Sequence, residues 1–227
     1  MPVYRLIDEV CFPDPYDGEP DGLLAVGGDL SPERLIYAYS VGIFPWYSFK
    51  LRKEPRWYCP LDRFVIFPDE IHVSHSMRNL LNKNLYQVTW DKDFEGVING
   101  CSKVNNRHEH YGAWLGKDMI EAFTTLHEMG LAHSVEVWTK PEAEEKPRLV
   151  GGLYGLQLRN AFFGESMFSL VPSASKLALI FLARLAQERG WHFIDCQFET
   201  PLFKSMGGRY IPYNEYMELL ATPNPKI

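Results

Sequence analysis

The sequence predicts an α+β fold, with a small N-terminal domain over residues 1–60 and a larger mixed-sheet domain over residues 61–227. Three observations lead to this prediction. The chain has 227 residues, of which 46% are hydrophobic and 14% aromatic, enough to form a packed core. The composition changes near residue 60, where a segment rich in Pro, Gly and aromatic residues gives way to alternating strand and helix patterns. A long helical pattern then separates two short apolar segments, which can return side by side as parallel strands.

In the N-terminal part, one helix has clear start and stop signals. Ser31 is a favourable N-cap and Pro32 suits the first helical turn, so we expect a helix that begins there and stops near Gly42. The aromatic segment from Ile43 to Tyr47 follows as an extended or turning stretch. These elements complete the predicted small domain.

The larger part alternates between segments with the hydrophobic periodicity of a helix and segments with that of a strand. Helices are predicted over 76–83 and 117–129, the second ended by Gly130. Strands are predicted over 64–67, 86–90, 132–138, 149–157 and 161–164, with a solvated loop over 139–147. Ser173 is expected to cap a helix that runs to Gly190, and a strand over 191–196 follows.

Two blocks around this last helix place carboxylates in apolar surroundings. The first runs from Gly164 to Ser169 and contains Glu165, and the second runs from Ile194 to Gln197 and contains Asp195. Asp195 and Gln197 are two residues apart on a predicted strand and would share a face. Because a buried charge without a partner is costly, these side chains have either a catalytic or a structural reason to be there. The helical crossover allows all three to share one cleft.

The strand–helix–strand order over 148–197 is typical of acyl-CoA N-acetyltransferases (GNAT-type). Those enzymes bind pyrophosphate on a Gly-rich turn at the start of the helix. Here the turn runs from Leu170 to Lys176, contains no glycine, and loses one donor at Pro172. We therefore expect an acetyltransferase-like domain that uses a different acyl donor and needs no cofactor.

Apolar and aromatic residues offer two further candidate sites. Eight side chains could line an apolar pocket or belong to the plain core: Leu153, Phe162, Phe163, Met167, Phe168, Leu179, Leu182 and Ile194. Trp46 and Trp114 could stack on a nucleic-acid base or pack between the domains.

Several classes of protein are disfavoured by the sequence. The four cysteines are scattered without a CxxC pair, which suits a protein of the reducing cytoplasm. The His pairs 72/75 and 108/110 have no supporting ligands, so we expect no metal site. No apolar run spans a membrane, and the N-terminus lacks a signal-peptide pattern. The net charge of −6 means that RNA would have to bind at a local basic patch, for which Lys50, Arg52, Lys53 and Arg56 are candidates.

Taken together, these segments closely resemble the leucyl/phenylalanyl-tRNA–protein transferase family. The resemblance covers nearly the whole chain, from about residue 12 to 213, and is carried in order by Phe12–Pro15, Asp21–Pro32, Gly42–Trp46, Ala132–Trp138, Leu149–Gly155, Gly164–Ser169, Ala174–Lys176 and Ile194–Gln197. Three positions depart from the family pattern: His75, Leu182 and Tyr213.

The resemblance implies transfer of Leu or Phe, and less readily Met, from aminoacyl-tRNA to proteins that begin with Arg or Lys, which tags them for N-end-rule degradation. It implies that Trp46 and Trp114 hold the terminal adenosine. It also implies an aminoacyl side-chain pocket formed by Leu153, Phe162, Met167, Leu179 and Ile194, with Leu182 at a pocket position that is aromatic in relatives. It assigns Asp195, Gln197 and Glu165 to the catalytic centre, in a protein expected to be a cytoplasmic monomer. The alternative is a non-catalytic module that recognises basic N-termini through the same acidic residues.

Overall fold

The computed structural model describes residues 3–46, 54–105, 115–140 and 146–223. The strands are β1 (Tyr4–Leu6), β2 (Leu23–Gly27), β3 (Phe44–Pro45), β4 (Arg56–Tyr58), β5 (Asp62–Ile66), β6 (Tyr86–Trp90), β7 (Ala132–Thr139), β8 (Leu149–Leu158), β9 (Ala161–Ser169), β10 (Phe193–Asp195) and β11 (Arg209–Pro212). The helices are α1 (Pro32–Ser40), α2 (His75–Lys83), α3 (Phe94–Asn105), α4 (Lys117–Glu128), α5 (Ala174–Arg189), α6 (Pro201–Ser205) and α7 (Tyr213–Ala221).

The described strands form two sheets. The smaller has the order β1-β2-β4-β3, and the larger has the order β11-β5-β10-β9-β8-β7-β6. The larger sheet is antiparallel except for β9 and β10, which run parallel and are connected by α5. This confirms the predicted α+β class and the mixed sheet with its strand–helix–strand crossover.

Helix α1 shows why its predicted limits were correct. The Oγ of Ser31 accepts a hydrogen bond from the amide of Arg34, and Pro32 opens the first turn. The helix gives way to Gly42, whose φ of +75° is strained for any residue with a side chain. A Cβ there would also lie 3.0 Å from the Tyr216 ring. Gly42 therefore lets the chain turn closely over α7 into β3.

Alternation along the central strands covers both faces of the larger sheet. Leu153, Phe162 and Ile194 join an apolar cluster with α5. Their neighbours Tyr154 and Phe163 join a second cluster, which includes residues of α1, α3 and α4. Successive side chains of a strand point to opposite faces, so each face of the sheet packs against helices.

The segment around α5 differs from the sequence-based expectation. Ser173 occupies the N-cap position, but its φ is +69° and its side chain makes no capping hydrogen bond. Instead, the Oγ of Ser169 accepts from the amide of Ser175 at 3.2 Å. The following strand, β10, is shorter than the predicted 191–196 and ends at Asp195.

Tyr154 carries a buried hydroxyl that has no hydrogen-bond partner in the described part of the chain. Its ring packs edge-on against Phe94 and Phe123, at centroid distances of 5.9 and 5.4 Å. Since an unsatisfied buried polar group costs about 1–3 kcal/mol, we expect Tyr154→Phe to raise the free energy of unfolding by about 1 kcal/mol. Urea denaturation measures the change, and a loss of stability would contradict the assignment of a free hydroxyl.

Candidate functional site

A β-bulge presents Glu165 to the cleft. Across β8 and β9, Gly155 pairs with Gly164 and Tyr154 pairs with Ser166, which leaves Glu165 as the extra residue. Bulges bend a strand and redirect a side chain, and they are common beside active sites. The Oε1 of Glu165 accepts hydrogen bonds from the hydroxyl of Tyr39 at 2.7 Å and from Nε2 of Gln197 at 3.0 Å.

Asp195 and Gln197 are close together, but they do not share a strand face as the sequence predicted. Gln197 lies beyond the end of β10 with a φ of +62°. The cause is local. Oδ1 of Asp195 accepts a hydrogen bond from the backbone N–H of Gln197 at 2.8 Å, and this bond forms a tight turn in place of a continued strand. This turn directs the Gln197 side chain to Glu165.

Asp195 itself belongs to a buried ion pair. Nε of Arg63 donates to both carboxylate oxygens, at 3.1 and 3.0 Å, and the hydroxyl of Tyr216 donates to Oδ2 at 2.9 Å. The Arg63 guanidinium lies 4.8 Å from the ring centre of Phe44 and 4.9 Å from that of Tyr216. Burial opposes its positive charge, but Asp195 together with Tyr216 and Cys59 outweighs this and raises the pKa of Arg63. Asp195 is fully buried and thus acts on the cleft through Gln197.

Glu165 has a strongly shifted pKa. Burial raises the pKa of its carboxyl to about 8, partly offset by the hydrogen bond from Tyr39, while the Asp195 charge adds to the rise and Gln197 and Arg63 oppose it. At pH 7 about a tenth of a group with this pKa is ionised. A cation that enters the cleft would therefore favour the ionised form.

An open cavity of about 330 Å³ adjoins this polar centre. Five of the six predicted pocket residues line it, together with Glu165 and Gln197: Leu153, Met167, Leu179, Leu182 and Ile194. Phe162, the sixth, does not line this cavity, although it belongs to the same apolar cluster as Leu153 and Ile194. Its ring is fully buried and stacks on Trp191 at 5.8 Å.

A second cavity of about 190 Å³ shares Glu165 and Gln197 with the first and carries Trp46 on its wall. Trp46 is 42% exposed, and its ring lies 5.4 Å from that of Phe198 and 5.5 Å from that of Tyr58. Its flat surface is thus available for stacking. The predicted partner Trp114 lies outside the described residues, as do Lys50, Arg52, Lys53 and the His108/His110 pair.

The start of α5 contains fewer free donors than a pyrophosphate cradle needs. The amide of Ala174 donates to the carbonyl of Val171, and that of Ser175 donates to Ser169. Both groups are therefore occupied within the chain. Within the described ranges, no cluster of three or more His, Cys, Asp or Glu side chains could hold a metal ion, and no helix is long and apolar enough to cross a membrane.

Sequence reasoning missed the residues that support the site from a distance. Arg63 gave a usable signal, because it is a charge beside the apolar run 64–67 of a predicted strand. Tyr39 and Tyr216 gave none, since tyrosines on helices are common and their partners are 126 and 21 residues away. Phe203, from the short helix α6, also lines both cavities.

The buried ion pair has a testable energetic consequence. Arg63→Met leaves Asp195 buried without its cation, so we expect a loss of about 3–5 kcal/mol in the free energy of unfolding. The combined variant Arg63→Met, Asp195→Leu should recover much of that loss. The exposed pair Arg5–Glu54 provides the control, since Arg5→Met should cost less than about 1 kcal/mol. Similar losses for Arg63→Met and Arg5→Met in urea denaturation would contradict a stabilising role specific to the buried pair.

Comparison with known proteins agrees with the geometry. The family model described as "Leucyl/phenylalanyl-tRNA protein transferase" matches residues 65–221, and the model of its N-terminal domain matches residues 28–61. A relative from Syntrophobacter fumaroxidans named "Leucyl/phenylalanyl-tRNA--protein transferase" is 46% identical over 100% of this chain and 93% of its own length. Proteins of the same name from Nitrosomonas eutropha and Thermodesulfovibrio yellowstonii are 49% and 46% identical, covering 89% and 97% of this chain and 82% and 86% of theirs.

Among solved structures, L-PGS from Bacillus licheniformis is similar with a TM-score of 0.40 and 12% identity, over 84% of this chain and 62% of that one. This likeness is too distant to define the fold. The family match and the relatives are decisive, and the chain belongs to the leucyl/phenylalanyl-tRNA–protein transferase family.

Proposed function

We propose that this protein transfers Leu or Phe, and less readily Met, from aminoacyl-tRNA to the N-terminal Arg or Lys of an acceptor protein, in the N-end-rule tagging that fits its family. The observation that carries the proposal is the apolar cavity that opens directly onto Glu165 and Gln197. An apolar side chain in that cavity places its ester carbonyl beside the polar centre. The names of the relatives supply the donor, a tRNA ester, and the acceptor, a protein.

The reaction itself needs little chemical assistance. The α-amino nitrogen of the acceptor forms an amide with the ester carbonyl carbon, the ester C–O bond breaks, and the ribose oxygen of the tRNA takes up a proton. The ester is already activated, so no ATP is consumed. An α-amino group with a pKa of about 7.7–8.0 is roughly 10–20% neutral at pH 7, so prior deprotonation could contribute only about tenfold. Alignment of the reactants can contribute far more, up to about 7–11 kcal/mol.

Gln197 fits the role of an aligning group. Its Nε2 donates to Glu165, which leaves Oε1 to accept a hydrogen bond from the attacking amine. Asp195 fixes the backbone of Gln197, and Glu165 attracts the cationic end of the acceptor. Since Gln is a very weak base, the proton passes to a water molecule or to the ribose hydroxyl rather than to Gln197.

The adenosine that carries the ester would stack on Trp46 in the second cavity. This cavity adjoins the first one at Gln197, which lines both. We further propose that the two sheets correspond to two domains divided near residue 60, and that the protein acts as a cytoplasmic monomer. The division is supported by the small sheet, which ends with β4, and by the larger sheet, which begins at Asp62.

The test is incubation of the purified protein with radiolabelled Phe-tRNA and a peptide that begins with Arg. We expect transfer of label to the peptide without ATP, acetyl-CoA or added metal, and in the presence of EDTA. A matched peptide that begins with Ala should stay unlabelled. Tight binding of the Arg peptide without any transfer would favour the alternative, a non-catalytic module that recognises basic N-termini.

The donor cavity predicts a preference for large apolar side chains. One methylene in an apolar pocket is worth about 1–3 kcal/mol, so Leu-tRNA should be used far better than Ala-tRNA. Met167→Ala removes part of the cavity wall and should reduce the Leu-to-Ala ratio of kcat/KM by about tenfold. Met129→Ala, at an exposed methionine away from the cavity, is the control and should leave the ratio unchanged. Equal use of the two donors by the unmodified protein would disprove the assignment of the cavity.

Gln197→Ala separates alignment from deprotonation. If Gln197 aligns the amine, its loss should lower kcat/KM about a hundredfold at pH 7, and a rise to pH 9 should not restore the rate. If it only assisted deprotonation, the loss would stay within about tenfold and would disappear at pH 9. The exposed neighbour Glu199 provides a control, since Glu199→Ala should change kcat/KM by less than about twofold. The measurement is kcat/KM at both pH values with saturating Phe-tRNA.

A further inference from the structure

We propose that Tyr39 is a positioning residue for acceptor recognition: with Gln197 it holds one oxygen of Glu165, so that the other oxygen meets the cationic end of the acceptor. This inference rests on the proposed function, because it concerns how the same site binds its second substrate. It adds a residue of α1 that lines neither cavity and acts through Glu165 of the larger sheet.

The contact is specific in its geometry. Tyr39 lies on the buried face of α1, and its hydroxyl donates to Oε1 of Glu165 at 2.7 Å. Its ring is fully buried and packs against Phe163 at a centroid distance of 5.2 Å. The ring packing fixes the hydroxyl where it is, because a buried aromatic side chain has few alternative rotamers. Burial also raises the pKa of Tyr39 well above its ordinary value, so the hydroxyl remains a donor.

The two oxygens of Glu165 have different surroundings. Tyr39 and Gln197 both donate to Oε1. Among the described residues, no hydrogen bond to Oε2 is present, although the side chain lines both cavities. A carboxylate held at one oxygen by two donors keeps a fixed orientation and leaves the other oxygen for a ligand. The guanidinium of an N-terminal Arg, or the ammonium of a Lys, is the ligand chemistry that fits.

Besides burial, the charge state of Glu165 depends on Tyr39 of α1, Asp195 of β10, Gln197 beyond β10 and Arg63 of β5. Tyr154 of β8 lies near the same carboxyl but stays uncharged, because burial raises its pKa well above the ordinary value. Asp195 and burial favour the neutral form, whereas Tyr39, Gln197 and Arg63 favour the ionised form. Loss of the Tyr39 hydroxyl therefore raises the pKa of Glu165 further above about 8, and the ionised fraction at pH 7 falls.

The test uses Tyr39→Phe, which keeps the ring and removes the hydroxyl. A rise of one unit in the pKa of Glu165 lowers the ionised fraction at pH 7 about tenfold, so KM for an Arg-starting peptide should rise about tenfold at pH 7. At pH 9 the difference should fall to about twofold, because Glu165 is then about 90% ionised in the unmodified protein and about half ionised in the variant, while the guanidinium stays charged. The kcat with saturating peptide should change by less than about threefold.

Two controls exclude a general loss of structure. Tyr154→Phe removes another buried tyrosine hydroxyl near Glu165, but one without a hydrogen-bond partner in the described part of the chain, and should leave the pH profile of KM unchanged. In a Glu165→Gln background, Tyr39→Phe should cause no further pH-dependent change, because the titrating group is absent. A loss that is equal at pH 7 and pH 9, or the same loss for Tyr154→Phe, would overturn the proposal.

A direct readout does not depend on activity. NMR titration of protein with ¹³C-labelled glutamate carboxyls, with the Glu165 signal identified by its loss in Glu165→Gln, should show a higher pKa in Tyr39→Phe than in the unmodified protein. An unchanged titration would reject the role of Tyr39. Absence of transfer by the unmodified protein would reject the proposed function and leave the titration result standing, so the two failures can be distinguished.

Discussion

The ion pair between Arg63 and Asp195 is the constraint on which the candidate site depends. Both groups are almost fully buried, and such a pair is tolerated only when its remaining hydrogen-bonding capacity is satisfied. Tyr216 and the amide of Gln197 satisfy the carboxylate, and two aromatic rings cover the guanidinium. Because these partners come from β3, β5, β10 and α7, the pair fixes the relative positions of elements that are far apart in the chain.

The first consequence of this pair is the end of β10. With Asp195 bound to the amide of Gln197, the chain leaves the sheet, while its parallel neighbour β9 continues to Ser169. Pairing between β9 and β10 stops at Phe163 and Asp195. The bulge at Glu165 follows two residues later on β9, beyond the last residue that pairs with β10. The polar centre and the bulge thus lie side by side, just beyond the end of the pairing between β9 and β10.

The sequence predicted features that depend on local chemistry. The limits of α1 followed from Ser31, Pro32 and Gly42, and the partnership of Glu165, Asp195 and Gln197 followed from two short blocks around one crossover helix. The shared strand face of Asp195 and Gln197 was wrong, because a side-chain-to-backbone hydrogen bond interrupts the strand pattern. Tyr39 was missed, since its contact with Glu165 joins residues 126 positions apart and leaves no periodic signal. Phe162 does not line the cavity, because an apolar residue on the correct strand face can lie either beside a cavity or beneath it.

The termination of β10 also explains why an apolar cavity and a polar centre lie next to each other. The space left beside β9 is closed on one side by Leu179 and Leu182 of α5, and on another by Leu202 and Phe203 in α6. These walls are apolar because they continue the core that packs under the sheet. The rim is polar because it is formed by the turn at Gln197 and the bulge at Glu165. On the proposed function, the apolar side chain of the donor lies in the cavity and its ester carbonyl lies at the rim, where Glu165 attracts the cationic acceptor. The shape and charge of the cleft would then align the two reactants without a strong base.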